Sequence, residues 1–349
     1  MFRAQLLAWY DAHARDLPWR ESRDPYRVWL SEIMLQQTRV AAVIAHYREF
    51  LRRFPTVEKL ARAREASVLA AWSGLGYYRR ARMLHAAARV VVRELGGRFP
   101  TTAEGLLVLP GVGRYTAAAI ASIAFDEPVA VVDGNVERVL QRLSGRRLGG
   151  EEFWRGAEEL LDRERPGDFN QAMMELGATV CTPRAPACLT CPMLEVCATR
   201  GELAGSAKAP QQKKREIHYA LDTRDGAVFL VQRALDARLM AGMWELPEVT
   251  STAGAKARSN GVGEIAALKA LRHPKAERGD SVEASFTLKH SITVTDYTVK
   301  VWRMFVPLRV AGKWVPVEKL TRVALTGLAR KILQKAGILG PGLKVHGVI

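Results

Sequence analysis

The chain lacks a long hydrophobic run. No apolar stretch reaches the roughly 18 residues of a membrane-spanning helix. The opening MFRAQLLAWYDAHARD is amphipathic rather than signal-like. A cytoplasmic protein is expected, with no membrane partner. Cysteine is scarce as well: there are four in 349 residues, all between Cys181 and Cys197. Scattered cysteines would suggest a disulfide framework, whereas four in one short segment form one site. Acidic side chains are in deficit, with 36 Asp and Glu against 52 Lys and Arg, a net charge of +16. That excess goes beyond what solubility needs and points to a polyanionic partner, nucleic acid before membrane. There is no internal repeat, which argues against a solenoid.

What is present divides in two, as the length suggests. As far as about residue 200 the text reads as helices. An amphipathic run from Phe2 to about Ala14 ends at Leu17-Pro18-Trp19, and a second helix starts near Pro25 and runs through YRVWLSEIMLQQT. Further helical runs cover Val40 to Phe54, Glu65 to Trp72, Arg79 to Leu95, Asp133 to Leu143, Glu152 to Arg163 and Asp168 to Val180. From Arg200 to about Arg215 the composition turns polar and basic, as in a linker. Beyond it come β-type runs, AVFLVQR and SFTLKHSITVTDYTVKVWRMFVPL, and a closing helix at LTGLARKILQKAG.

Leu109 to Val139, LPGVGRYTAAAIASIAFDEPVAVVDGNVERV, organises the first part. Gly111 and Gly113 in a Pro-Gly-x-Gly turn, with Val112 between them and Arg114 after them, can turn backbone amides outward at a helix start, where a phosphate would be gripped. Asp133 follows an apolar run and precedes Gly134 and Asn135, where it can cap a helix, do chemistry, or do both. Glu32 lies among Trp29, Leu30, Ile33, Met34 and Leu35. Most helical glutamates face water, but one in such company can be desolvated, which raises its pKa. Gln36 and Gln37 suit a helix end or contact with bases. The break GLGYYRRAR sets Tyr77 and Tyr78 beside Arg79, Arg80 and Arg82, an arrangement that either packs or wedges into a base stack while holding phosphates.

Cys181, Cys188, Cys191 and Cys197 are spaced C-x6-C-x2-C-x5-C. Such a loop can hold a tetrahedral zinc or a 4Fe-4S cluster; zinc sites tend to use two C-x2-C knuckles, and the single one here favours iron–sulfur. The expected role is structural, presenting Arg184 and Arg200 to nucleic acid.

The hairpin LPGVGRYTA, the later Asp133 and the cysteine loop together resemble the iron–sulfur helix-hairpin-helix DNA glycosylases. SEIMLQQT, GLGYYRRARMLH and VDGNVERVL are similar to the MutY-type adenine DNA glycosylases within that superfamily. The resemblance covers residues 1–200 nearly end to end. It implies a two-lobed, all-helical glycosylase domain with hairpin 109–114 and iron–sulfur loop 181–197, then a linker over 201–215 and a Nudix-like α/β lesion-recognition domain over 216–349. The last rests on RALDARLMAGMWELPEV. The candidate Nudix helix VGEIAALKALRH offers Glu264 and then basic residues, too few carboxylates to hold magnesium, so no pyrophosphatase is expected. Where the family reads the lesion with Phe-Ser-His, this chain has Leu288, Lys289, His290 and Ser291. His290 or Ser291 is the expected substitute.

Cleaving a purine N-glycosidic bond needs a proton for the leaving base and negative charge near the oxocarbenium ion. Glu32 in apolar surroundings suits the acid; Asp133 at a helix start suits the anion. The resemblance agrees on both. It adds Tyr115 and Asn135 as their supports, and Gln37 and Tyr77 as groups near the lesion pair. Tyr115 also stands where the superfamily's lyases carry the Schiff-base lysine, which implies a monofunctional, hydrolytic enzyme. The expected substrate is duplex DNA with adenine opposite 8-oxoguanine or guanine, acted on by a monomer. A mismatch thymine or uracil glycosylase of the same superfamily and a non-catalytic DNA-binding protein are the alternatives.

Overall fold

The computed structural model describes residues 1–203, 213–237, 239–249, 284–292 and 295–340. Its helices in chain order are α1 (Phe2–His13), α2 (Pro25–Leu35), α3 (Val40–Arg53), α4 (Val57–Arg62), α5 (Glu65–Trp72), α6 (Arg79–Arg93), α7 (Ala103–Leu106), α8 (Arg114–Phe125), α9 (Gly134–Ser144), α10 (Glu151–Leu160), α11 (Pro166–Thr179) and α12 (Gly327–Lys335). The strands are β1 (Lys213–Leu221), β2 (Thr223–Arg224), β3 (Ala227–Gln232), β4 (Trp244–Glu245), β5 (Phe286–Ile292), β6 (Thr295–Arg303) and β7 (Lys313–Pro316). The chain forms two compact units, Met1–Arg62 with Met83–Ala207, and Ala63–Arg82 with Lys208–Ile349.

The first unit is helical. The Asp24 side chain caps α2 by accepting from the Arg27 amide at 2.9 Å, and Pro25 opens its first turn. The sequence pattern extends this helix to Thr38, but it stops at Leu35, because Gln37 adopts a left-handed φ of 54° and the chain turns. α2 packs on α3 and α8. Leu6, Val136, Phe153, Phe169 and Leu176, from α1, α9, α10 and α11, share a separate buried cluster.

α11 is the helix that the others close around, touching α1, α8 and α9. Two of its glycines permit this. A Cβ at Gly167 would lie 2.6 Å from the Ser122 carbonyl oxygen, and one at Gly177 would lie 2.6 Å from Cβ of Asn135. Buried Asn170 on the same helix takes the role of a neighbouring strand for the extended segment before α9. It accepts from the Val131 amide at 3.1 Å and donates to the Val129 carbonyl at 2.8 Å. That segment delivers Asp133 to the start of α9.

The second unit carries the sheets. β1 runs parallel to β6, and β5 pairs antiparallel with the other edge of β6. A second sheet joins β2, β3 and β4, with β7 on β3. α12 buries Leu328, Ile332 and Leu333 in a core shared with Leu221, Val299 and Val315. Residues 63–82 belong to this unit through α5 and the loop after it. The Ser73 and Tyr78 hydroxyls both donate to the Leu325 carbonyl, at 3.0 and 2.9 Å. The sequence VGEIAALKALRH with Glu264 lies outside the described residues.

Candidate active site

α2, α8 and the start of α9 bring three of the sequence-chosen residues together. Glu32 is only 6% exposed. The Tyr115 hydroxyl donates to its Oε2 at 2.6 Å and also approaches the Met174 sulfur at 3.5 Å. Burial pushes the Glu32 carboxyl up to about 7; the Tyr115 hydrogen bond opposes this, the nearby Asp133 charge adds to it, and the Arg20 charge opposes it. Burial, then the charge of Glu32, raises the Tyr115 phenol well above its ordinary value, so it remains a donor.

Asp133 is the N-cap of α9. Its Oδ1 accepts from the Asn135 and Val136 amides at 2.9 and 2.8 Å, and its Oδ2 accepts from Asn135 Nδ2 at 2.9 Å. Three donors fix both carboxylate oxygens. Asn135 is held in turn, because its Oδ1 accepts from Arg138 Nη2 at 2.8 Å.

In the hairpin, Gly111 has φ +78° and a Cβ there would sit 2.5 Å from that of Met83, so the turn needs glycine twice over. Val112 is buried and pins the turn from inside. Gly113 is the N-cap of α8 and no side chain caps that helix, which leaves its first amides for an outside acceptor. Arg114 is exposed, pairs with Glu151 at 2.6 Å, and lies 3.9 Å above the Trp154 ring.

Gln37 and Tyr77 both stand on turns with positive φ, 54° and 45°, and both side chains are exposed. Gln37 belongs to the helical unit and Tyr77 to the sheet-bearing unit. Arg80 is held by its own loop: its Nη2 donates to the Leu75 carbonyl at 3.1 Å and its guanidinium lies 5.5 Å from the Tyr77 ring centre. Burial lowers its pKa to about 10. Arg79, by contrast, is exposed.

Leu288, Lys289, His290 and Ser291 are consecutive residues of β5 rather than a turn, because each pairs in register with β6. Leu288 faces the core, and the Ser291 hydroxyl donates to Asp296 Oδ1 at 2.6 Å. Burial, and then the charge of Lys331, lowers the pKa of His290.

Cys181, Cys188, Cys191 and Cys197 are free thiols in one loop. Burial raises the Cys191 thiol, a hydrogen bond from the Met193 backbone opposes this, and Cys181, Cys197 and Cys188 add to it, so Cys191 lies within the field of the other three. Among the described residues, however, no three His, Cys, Asp or Glu side chains gather closely enough to hold a single metal ion. α9 ties this loop to Asp133. Arg138 Nε donates to the Cys181 carbonyl at 2.7 Å, and buried Arg142 donates to the Cys181 sulfur at 3.3 Å and the Thr182 carbonyl at 2.7 Å.

Two residues of the site escaped the sequence reading. Glu175 is buried on α11 and binds Arg15 Nε at 2.5 Å and Arg20 Nη2 at 2.8 Å. Burial pushes the Glu175 carboxyl up, but the two guanidinium groups outweigh it and the net pKa is low. Arg20 is the cation whose charge reaches Glu32, and its buried Nε has no partner among the described residues. Only the acid among the α11 hydrophobics, in the run AMMELGATV, hinted at this.

The helical unit thus combines a hairpin whose following helix has no side-chain cap, a buried acid and a carboxylate that caps a helix. Residues 30–151 match the HhH-GPD superfamily of base excision DNA repair proteins. The chain is 44% identical over 314 residues to the adenine DNA glycosylase of Mus musculus, spanning 71% of this chain and 60% of that one. It is 37% identical over 253 residues to the adenine DNA glycosylase of Buchnera aphidicola subsp. Baizongia pistaciae, covering 70% of this chain and 72% of the relative. A thermostable thymine-DNA glycosylase structure superimposes with a TM-score of 0.54 at 34% identity, over 57% of this chain and 94% of that one. This chain therefore belongs to the adenine DNA glycosylase family. It spans about three fifths of the mouse relative's length. Among the described residues no helix is long and apolar enough to cross a membrane.

Proposed function

We propose that the protein is a monofunctional glycosylase that releases adenine from duplex DNA where it is mispaired with 8-oxoguanine or guanine. One observation carries this reading: a buried glutamate whose carboxyl keeps its proton up to about pH 7 lies within the field of Asp133. Glu32 gives that proton to a ring nitrogen of adenine, and the N-glycosidic bond breaks with its electron pair leaving on the base. Asp133 faces the cationic sugar as an anion; water adds at C1′ and returns a proton to Glu32. Tyr115 orients Glu32, and Asn135 orients Asp133. With tyrosine at position 115 no amine is supplied there for a Schiff base, so the strand is left intact.

Adenine reaches this site only by leaving the stack, at a cost of a few kcal/mol that is smaller for a mispair. The amides at Gly111 to Arg114, with Val112 packed beneath them, hold a backbone phosphate during that step. Gln37 and Tyr77, exposed on strained turns, reach the opened pair. Arg80 supports the Tyr77 turn from within rather than meeting phosphate. In the sheet-bearing unit, taken as a Nudix-like module from about residue 216 onward, His290 and Ser291 meet the lesion from β5.

The four cysteines suit a 4Fe-4S cluster better than zinc. The loop has a single C-x2-C knuckle, whereas zinc sites tend to use two. When bound, the cluster supplies four covalent ties that pin the loop. Iron and sulfide analysis, with the visible charge-transfer absorption, tests the assignment.

The functional test is release of free base from duplexes carrying adenine opposite 8-oxoguanine, guanine and thymine. Adenine release from the first two is expected. Release of thymine from a guanine mispair instead would favour the alternative to which the thymine-DNA glycosylase similarity points.

A further inference from the structure

The sheet-bearing unit displays exposed large hydrophobic side chains, two of them flanking a fixed cation. Phe305 is 78% exposed, Leu308 97% and Trp314 36%. The Arg224 guanidinium lies 5.0 Å from the Phe305 ring centre and 4.9 Å from that of Trp314. None of these residues belongs to the arrangement around Glu32, Asp133 or the cysteines.

The patch is built rather than loose. Buried Asp222 binds Arg224 through Nη2 at 2.7 Å and Nε at 3.2 Å, and also accepts the Val306 amide at 2.8 Å, so one carboxylate anchors both the cation and the Phe305 loop. Trp314 pairs across the sheet with Phe229, ring centres 5.4 Å apart and edge to face. Arg224 comes from a tight β2–β3 turn in which Asp225 and Gly226 take positive φ. Its Nη1 has no hydrogen-bond partner among the described residues, and Arg309 is exposed beside Leu308.

We propose that Arg224, Phe305, Leu308, Arg309 and Trp314 form a second nucleic-acid surface that takes single-stranded DNA. Exposed rings give unpaired bases a stacking face, which bases inside a duplex do not offer, and arginines beside them answer the phosphates. The chain's net charge of +16 favours the same class of partner over a basic or neutral protein surface. Leu308, with nearly its whole side chain in solvent, gives apolar cover to a sugar or base edge.

The test uses the full-length protein and a fluorescein-labelled oligothymidylate of about 15 nucleotides, a span one such surface covers. Phe305→Ala and Arg309→Ala lie at exposed positions, so folding is undisturbed and melting curves should coincide with wild type. Each is expected to weaken binding by about fivefold or more, while adenine release from a blunt duplex is unchanged. A strand carrying 5-iodouracil should crosslink on irradiation to the peptide holding Phe305 or Trp314. Equal affinity of both variants, or crosslinks confined to other peptides, overturns the proposal. So does concentration-dependent self-association that disappears in Phe305→Ala, which would make the patch a contact between copies.

Discussion

The Tyr115 hydroxyl on α8 donates a 2.6 Å hydrogen bond to Oε2 of Glu32 on α2, 83 residues earlier in the chain. The bond works against burial. Desolvation alone would push the Glu32 proton affinity higher still, and Tyr115 pulls it back to about 7. The pair sets an acid that is half protonated near neutral pH, where a proton donor to a base is most useful.

The rate of base release should therefore fall as pH rises through about 7, by up to tenfold per unit above it, because the protonated fraction falls. Tyr115→Phe removes the opposing hydrogen bond, so the fall should move to higher pH. A single-turnover pH profile of both proteins checks the direction; a shift to lower pH in the variant would contradict it.

The same carboxyl links stability to pH. An unperturbed glutamate titrates at 4.5, whereas folded Glu32 holds its proton to about 7. Below 4.5 both states are protonated and the site has no effect. Between the two values the folded chain retains a proton that the unfolded chain has released, so stability falls as pH rises, by roughly 3 kcal/mol once Glu32 is fully ionised. Glu32→Gln should accordingly melt higher than wild type at pH 8 and approach it at pH 4.5. Parallel melting curves across that range would mean that Glu32 is not desolvated.

Asp133→Asn keeps an oxygen for the α9 cap and loses the charge. Its cost in stability should stay within about 1 kcal/mol, while base release falls by orders of magnitude. Chemical denaturation and single-turnover kinetics on one preparation separate the two effects.

Gly177→Ala should do harm although glycine is a poor helix former. The new Cβ would lie 2.6 Å from Cβ and 2.9 Å from the carbonyl oxygen of Asn135, so α9 must shift away from α11. A loss of about 1–3 kcal/mol is expected, together with slower base release, because Asn135 holds Asp133. Substituting Gly156 on α10, where a Cβ meets nothing, is the control.

Tyr115 leaves the hairpin without an amine. Borohydride should trap no covalent adduct with abasic DNA under conditions that trap a lyase; a robust adduct would overturn the hydrolytic assignment.

Much of this was legible in the residues because its causes are local. Asp133 reads as a cap from its place before Gly134 and Asn135, and Glu32 stands out by its apolar neighbours within one helical run. Gly111 announces a positive φ by standing between Pro110 and Val112 in a tight turn. What was not legible depends on distant chain. Arg20 and Glu175 are 155 residues apart, and although Glu175 stands among hydrophobic residues, its partner is not identifiable until α11 is laid against the N-terminal loop. Gly167 and Gly177 look like weak points of a helix and prove to be its crossing contacts. That Arg80 donates to its own loop's Leu75 carbonyl was not legible either, because carbonyls have no signature in sequence. Residues 63–82 read as part of the helical run, and it takes distant contacts, such as Ser73 and Tyr78 donating to the Leu325 carbonyl and Arg82 donating to the Ala241 carbonyl, to attach them to the sheet-bearing unit.

The most direct test of the account is adenine release, in a single turnover near pH 7, from a duplex with adenine opposite 8-oxoguanine, by wild type and Glu32→Gln. The variant should bind the duplex as wild type does and release adenine at least a thousandfold more slowly, an effect of about 4 kcal/mol on the barrier. Release at an undiminished rate by a folded Glu32→Gln would remove Glu32 from the chemistry and the account with it.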